Sequence, residues 1–134
     1  IQNSAFNEKR FVILETAKLC EDRIGELSKE KQEQIKGSVY LHQILALPFY
    51  PIRMEKFKRR YELLQKYMEQ VYQMFPEIWD NFEIKEFVTW ENRYVRFYRK
   101  VSVNLLKNRH LFATCVFWSF SNAIFEGYKK IKRK

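Results

Sequence analysis

A chain of 134 residues is one domain's worth of polypeptide, long enough to bury a core, and only three Gly and three Pro point to a few long elements. The net charge of +9 is unevenly spread: residues 1–92 hold 14 of the 25 Lys/Arg and 15 of the 16 Asp/Glu, net −1, which leaves +10 for residues 93–134. Cys20 and Cys115, far apart in the chain, exclude a disulfide framework and match no zinc or redox motif. They read as buried apolar thiols, and with two His, neither beside a Cys, no metal or other cofactor is expected. The start at Ile1, with no secretory leader in IQNSAFNEKRF, fits a cleaved organellar presequence or a trimmed chain equally well.

In chain order, the pattern predicts a first helix from about Ser4, its cap, to Lys36, with Phe11, Leu14, Lys18 and Ile24 on one stripe and Gly37-Ser38 as its break. A short apolar helix, VYLHQILAL (39–47), follows and is stopped by Pro48 and Pro51; the apolar run around His42 is compatible with a core histidine, and no catalytic role is expected of it. A helix over about Arg53–Phe75 has a seam of Phe57, Tyr61, Leu64, Tyr67, Met68, Val71 and Phe75. Its other face carries Arg53, Lys56, Arg59, Arg60 and Lys66, and Pro76 ends it. EIWDNFEIKEFVTW, with Ile78, Trp79, Phe82, Phe87 and Trp90, predicts one aromatic helix or a pair of helical turns. No stretch alternates with period two, so the fold class is all-α.

Catalytic signatures are missing: there is no GxGxxG, GxxxxGK[ST], GxSxG or HExxH, and no enzyme is expected. Glu30/Glu33 and Glu83/Glu86, each one turn apart, read as solvated faces. The informative stretch is ENRYVRFYRKVSVNLLKNRH. On a helix it gathers Arg93, Arg96, Lys100 and Lys107 into one sector, with Tyr94, Phe97, Tyr98, Val101 and Leu105 on the neighbouring face. Three readings fit that face: a helix in a membrane interface, with basic side chains on phosphates; a nucleic-acid grip; or a helix of a soluble bundle.

LFATCVFWSFSNAIF (111–125) comes next, uncharged throughout and set between KNRH and EGYKKIKRK. Fifteen helical residues span roughly 22 Å, short of the ~20 residues that a hydrocarbon core needs. Snorkelling of Lys107, Arg109 and Lys129 extends that span. Only Thr114, Ser119, Ser121 and Asn122 interrupt the apolar run, so a short transmembrane helix is expected, with Leu111, Phe112, Cys115, Val116, Phe117, Trp118, Phe120, Ile124 and Phe125 in lipid. Arg93, Arg96, Lys100, Lys107, Arg109, Lys129 and Lys130 are expected on anionic headgroups. Residues 1–92 then form a near-neutral helical extension and 93–134 the basic helix, anchor and basic tail.

The order RYVRFYRK, polar spacer, ATCVFWSFSNAIFEGYKKIKRK resembles the C-terminal half of subunit f of mitochondrial ATP synthase. The likeness covers residues 93–134 and rests on Tyr94, Arg96, Tyr98 and Lys100, on Cys115, Phe117, Ser119 and Ser121, and on Tyr128 and Lys129. It implies a non-catalytic accessory subunit of the mitochondrial inner membrane that packs against the proton-channel subunit and the peripheral stalk. Its partners would then be other subunits of that complex and anionic phospholipid, cardiolipin above all, with no nucleic acid and no small-molecule substrate. The alternatives are a basic helical RNA-binding protein, as in an organellar ribosome, and a soluble all-α interaction module.

Overall fold

A computed structural model describes residues 8–89 and 93–132, apart from the side chains of Lys129, Lys130 and Lys132. The expected Ser4 cap, Trp90 and the closing Arg133 and Lys134 lie outside the described residues. Among the described residues every regular element is helical. A 3₁₀ turn, Glu8–Val12, leads into α1 (Ile13–Arg23) and α2 (Lys29–Val39) follows. The single helix expected over 4–36 is therefore two. Ser28, in extended conformation, caps α2 by accepting from the Lys31 N–H at 3.3 Å. The Gln32 amide then takes the carbonyls of Gly25 and Leu27 at 3.2 and 2.8 Å. The first bond caps the start of α2, and the Gln32 bonds tie that helix to the carbonyls of the connecting loop.

Gly37 is not a breaker. It lies inside α2, where a side chain would meet Glu83 Cγ at 2.3 Å, Glu83 Cβ at 2.7 Å and Asn81 Oδ1 at 2.8 Å. Its missing Cβ is what lets α2 lie against the start of α4 (Phe82–Phe87). Asn81 locks the same contact: its Oδ1 accepts from the Glu83 N–H at 2.9 Å and its Nδ2 donates to Glu33 Oε2 at 2.9 Å.

The prolines also fail to stop the chain. Two wide helical turns, Tyr40–Ile44 and Pro48–Ile52, carry it to Arg53, closed by bonds from Leu45 N to Tyr40 O and from Arg53 N to Pro48 O. In an α-helix the Ile44 carbonyl would accept from residue 48, but proline has no N–H. The Tyr67 hydroxyl of α3 (Phe57–Met74) donates to that carbonyl instead, at 2.5 Å. Burial drives the Tyr67 pKa well above the ordinary phenol value, so it stays a donor. His42, on the outer side of this segment, is exposed rather than a core residue.

Of the expected α3 seam, Leu64, Tyr67, Met68, Val71 and Phe75 are buried, whereas Phe57 is exposed and Tyr61 half-buried. Beyond Pro76 come a 3₁₀ turn, Ile78–Asp80, and α4, the pair of helical turns. α5 (Arg93–Lys107) and α6 (Leu111–Lys132) are joined by Asn108–His110. Arg109 takes φ 64°, a left-handed residue without glycine. Its N–H donates to Leu106 O and that of His110 to Leu105 O, the paired bonds of a Schellman turn. The turn folds α6 back on α5, so that Tyr98 meets Phe125 while Ser102 meets Trp118. Leu106, Cys115 and Trp118 join one core with Leu14, Leu64 and Tyr67, across the charge boundary near residue 92.

Two substitutions report on this packing. Gly37→Ala should lower the thermal midpoint although alanine is the better helix former by about 1 kcal/mol, because the overlap costs roughly 1–3 kcal/mol net. Tyr67→Phe should cost about 1–3 kcal/mol by stranding the Ile44 carbonyl. Denaturant unfolding checks both, and an unchanged Tyr67→Phe would dismiss the proline-rescue role.

Candidate functional site

α6 has two dissimilar faces. Thr114, Cys115, Trp118 and Ser121 are buried against α3 and α5. The opposite side shows Phe112, Ala113, Phe120, Ala123, Ile124 and Ile131, with Phe120 67% and Ile124 69% exposed. No charge occurs on that outer side from residue 111 to 125. Exposed Phe57 from α3 lies against Phe112, ring centroids 5.5 Å apart, and Val116, Ser119 and Ala123 complete an open groove beside Phe120.

The expected lipid-embedded set is thus divided. Cys115 and Trp118 are fully buried in protein, Leu111, Val116, Phe117 and Phe125 are half-buried, and Phe112, Phe120 and Ile124 face outward. The expected transmembrane helix is corrected accordingly: no described helix is long and apolar enough to cross a membrane. The physical reason lies in the small polar residues of the run. Thr114 and Ser121 lie on the buried face, Ser119 accepts from Arg60, and Asn122 Nδ2 donates to Arg53 O at 3.1 Å. They serve tertiary contacts, and beyond residue 125 Glu126, Lys129, Lys130 and Lys132 follow within the same helix.

Beside this face stands the basic sector of α5. Arg93, Arg96, Lys100 and Lys107 are all exposed, as the helical spacing predicts, and make no ion pair among the described residues. Tyr94 and Phe97 are exposed too, and Phe97 touches Phe117 of α6 at 6.4 Å between centroids, linking the basic sector to the apolar face. Tyr98 instead turns inward, stacked on Phe117 at 6.0 Å. Arg109 lays its guanidinium over the Tyr72 ring at 4.5 Å, and Tyr72 in turn donates to the Leu106 carbonyl. Lys129 and Lys130 belong to the last turns of α6, and their side chains lie outside the description.

Two arginines were misplaced by sequence reasoning. Arg60, assigned to the outer face of α3, is 5% exposed. Its Nη1 donates to Cys115 O at 2.9 Å and Ser119 Oγ at 2.8 Å, its Nη2 to Glu55 O at 2.9 Å, and among the described residues no carboxylate pairs with it. Desolvation lowers its pKa from the usual guanidinium value. Arg53 is half-buried, its Nη1 3.3 Å from the Tyr98 hydroxyl and its carbon 5.5 Å from that ring. The signal for Arg60 was present: it lies four, seven and eleven residues before Leu64, Tyr67 and Val71, on the seam itself. Among the described residues no group of three His, Cys, Asp or Glu side chains could hold a metal ion.

No family model, no curated protein and no solved structure matches this chain.

Burial pushes the Cys115 thiol up to about 11, against the opposing charge of Arg60. From the ordinary 9.0 this leaves roughly a hundredfold less thiolate at neutral pH. Iodoacetamide at pH 8 should therefore modify half-buried Cys20 first and reach Cys115 only as the fold opens, read by mass spectrometry of the native protein. Equal rates would mean that α6 is not packed on α3.

Proposed function

We propose that the chain is a non-catalytic, membrane-associated structural subunit that lies on an anionic lipid surface through the outer face of α6 and the basic sector of α5. The observation that carries this reading is the outer side of α6, uncharged from residue 111 to 125, beside four exposed cations on α5 that make no ion pair among the described residues. A helix that sits at the boundary of headgroups and acyl chains needs an apolar face in the chains and cations at the phosphates, and these two surfaces meet at Phe97 and Phe117. Phe112, Phe120 and Ile124 enter the acyl region, while Arg93, Arg96, Lys100 and Lys107 reach headgroups. The helix rests in the surface and does not cross it. The likeness of residues 93–134 to subunit f of mitochondrial ATP synthase narrows the proposal to the mitochondrial inner membrane, to cardiolipin as the lipid and to neighbouring subunits of the membrane complex as partners.

Flotation of the full chain with vesicles tests the reading. Binding should need anionic lipid and weaken as salt rises. Neutralising Arg93, Arg96 and Lys100 together to Gln should lower affinity on the order of a hundredfold, at roughly 1 kcal/mol per cation. Phe120→Asp and Ile124→Asp should abolish binding with little change in thermal stability, since both side chains project from the surface. Equal binding to neutral vesicles would remove the electrostatic half of the proposal. Preference for single-stranded RNA over vesicles would replace it with the nucleic-acid reading.

A further inference from the structure

On the other side of the α5–α6 hairpin, away from the apolar face, an open cavity of about 310 Å³ lies between α5, α6 and the Pro48–Ile52 turn. A second of about 270 Å³ adjoins it, sharing Phe49, Tyr50, Phe87 and Arg99 in its walls. The first alone reaches the lower end of the range of ligand pockets, roughly 300–1,000 Å³. Its walls are largely aromatic and aliphatic, with Phe49, Phe87, Val95 and Phe125 among them.

Two guanidiniums interrupt this apolar lining. Arg53 and Arg99 both line the cavity, and neither forms an ion pair among the described residues. Arg99 lies over the Phe87 ring at 4.2 Å and donates one bond, to Phe87 O at 3.2 Å. Arg53 donates one, to Tyr98 Oη, and its Nε is buried with no partner. A guanidinium carries five N–H donors, so among the described residues most of the donor capacity of both arginines is unspent. A buried donor without an acceptor costs stability, and the Arg53 Nε is such a donor. One carboxylate, exposed Glu126, lines the cavity without an ion pair to either arginine. Among the described residues, two cations and one anion leave the cavity lining with a net charge of +1.

We infer that this cavity binds a small amphiphilic monoanion, a carboxylate carried on an apolar tail or ring, with its head between Arg53 and Arg99 and its body against Phe49 and Phe87. The chemistry follows from the lining. The forked donors suit a planar carboxylate, the aromatic walls take the apolar body, and the net charge favours one negative charge over two. The site is separate from the outer face of α6, so it goes beyond the membrane reading and does not depend on it.

Calorimetric titration of the full chain tests it, with octanoate as the probe and octanol and octylamine as neutral and cationic controls of equal length. Octanoate should bind saturably at one site, with both controls at least about tenfold weaker. Arg53→Gln and Arg99→Gln should each weaken octanoate by about tenfold or more, while Phe120→Asp, which removes vesicle binding, leaves it unchanged. Glu126→Gln, at an exposed position, should strengthen binding, an outcome that misfolding cannot mimic. The inference fails if octanol matches octanoate, if octanoate does not saturate, or if Glu126→Gln leaves the affinity unchanged in the folded protein.

Discussion

Trp118 is the side chain on which three parts of the molecule depend. It is the largest fully buried side chain among the described residues, and its ring centroid stands 5.8 Å from that of Phe49 in the Pro48–Ile52 turn. Its indole N–H, removed from water, must find an acceptor, and the Ser102 hydroxyl of α5 supplies it at 2.9 Å. One residue of α6 therefore fixes the hairpin partner and the proline-containing segment at once. The Schellman turn through Arg109 makes this possible by reversing the chain with three residues, so that position 118 returns to position 102.

The consequence is a division of labour across α6. Its buried side is occupied by protein, down to the backbone, where Arg60 donates to the Cys115 carbonyl. What remains outward is apolar without being needed for the core. A helix that only had to cover α3 and α5 would gain solubility from charges on its outer side. The outer side of α6 instead continues the aromatic character of Phe57, Tyr94 and Phe97 on its neighbours.

Arginines hold much of the remaining polar structure without acidic partners. Arg60 is satisfied mainly by a carbonyl pair and a serine, and Arg53, Arg99 and Arg109 each lie over an aromatic ring. Guanidinium suits this use because it is planar and weakly hydrated, so it stacks on rings where an ammonium would keep its water. The ion pairs found among the described residues lie instead in the near-neutral part: Glu8 with Arg59 and Lys66, and Glu21 with Lys18 and Lys36.

All-α class, the α3 seam from Leu64 to Phe75 and the basic sector of α5 were legible in the sequence, because each depends on periodicity along one helix. Arg93, Arg96, Lys100 and Lys107 share an exposed sector for that reason alone. What tertiary structure decided is every case in which a residue's local meaning was overridden by a neighbour distant in the chain. Gly37 ceases to be a breaker because Glu83 fills the space of its Cβ. Pro48 ceases to be a stop because Tyr67 replaces its missing donor. The uncharged run 111–125 was ambiguous by itself, since lipid and a protein core are equally apolar solvents. Its assignment to a packed helix came from Arg60, Arg53 and Ser102, whose polar atoms meet its serine, asparagine and tryptophan from α3, the segment before it and α5. Such partners are set by the fold and leave no mark in the spacing of the run itself.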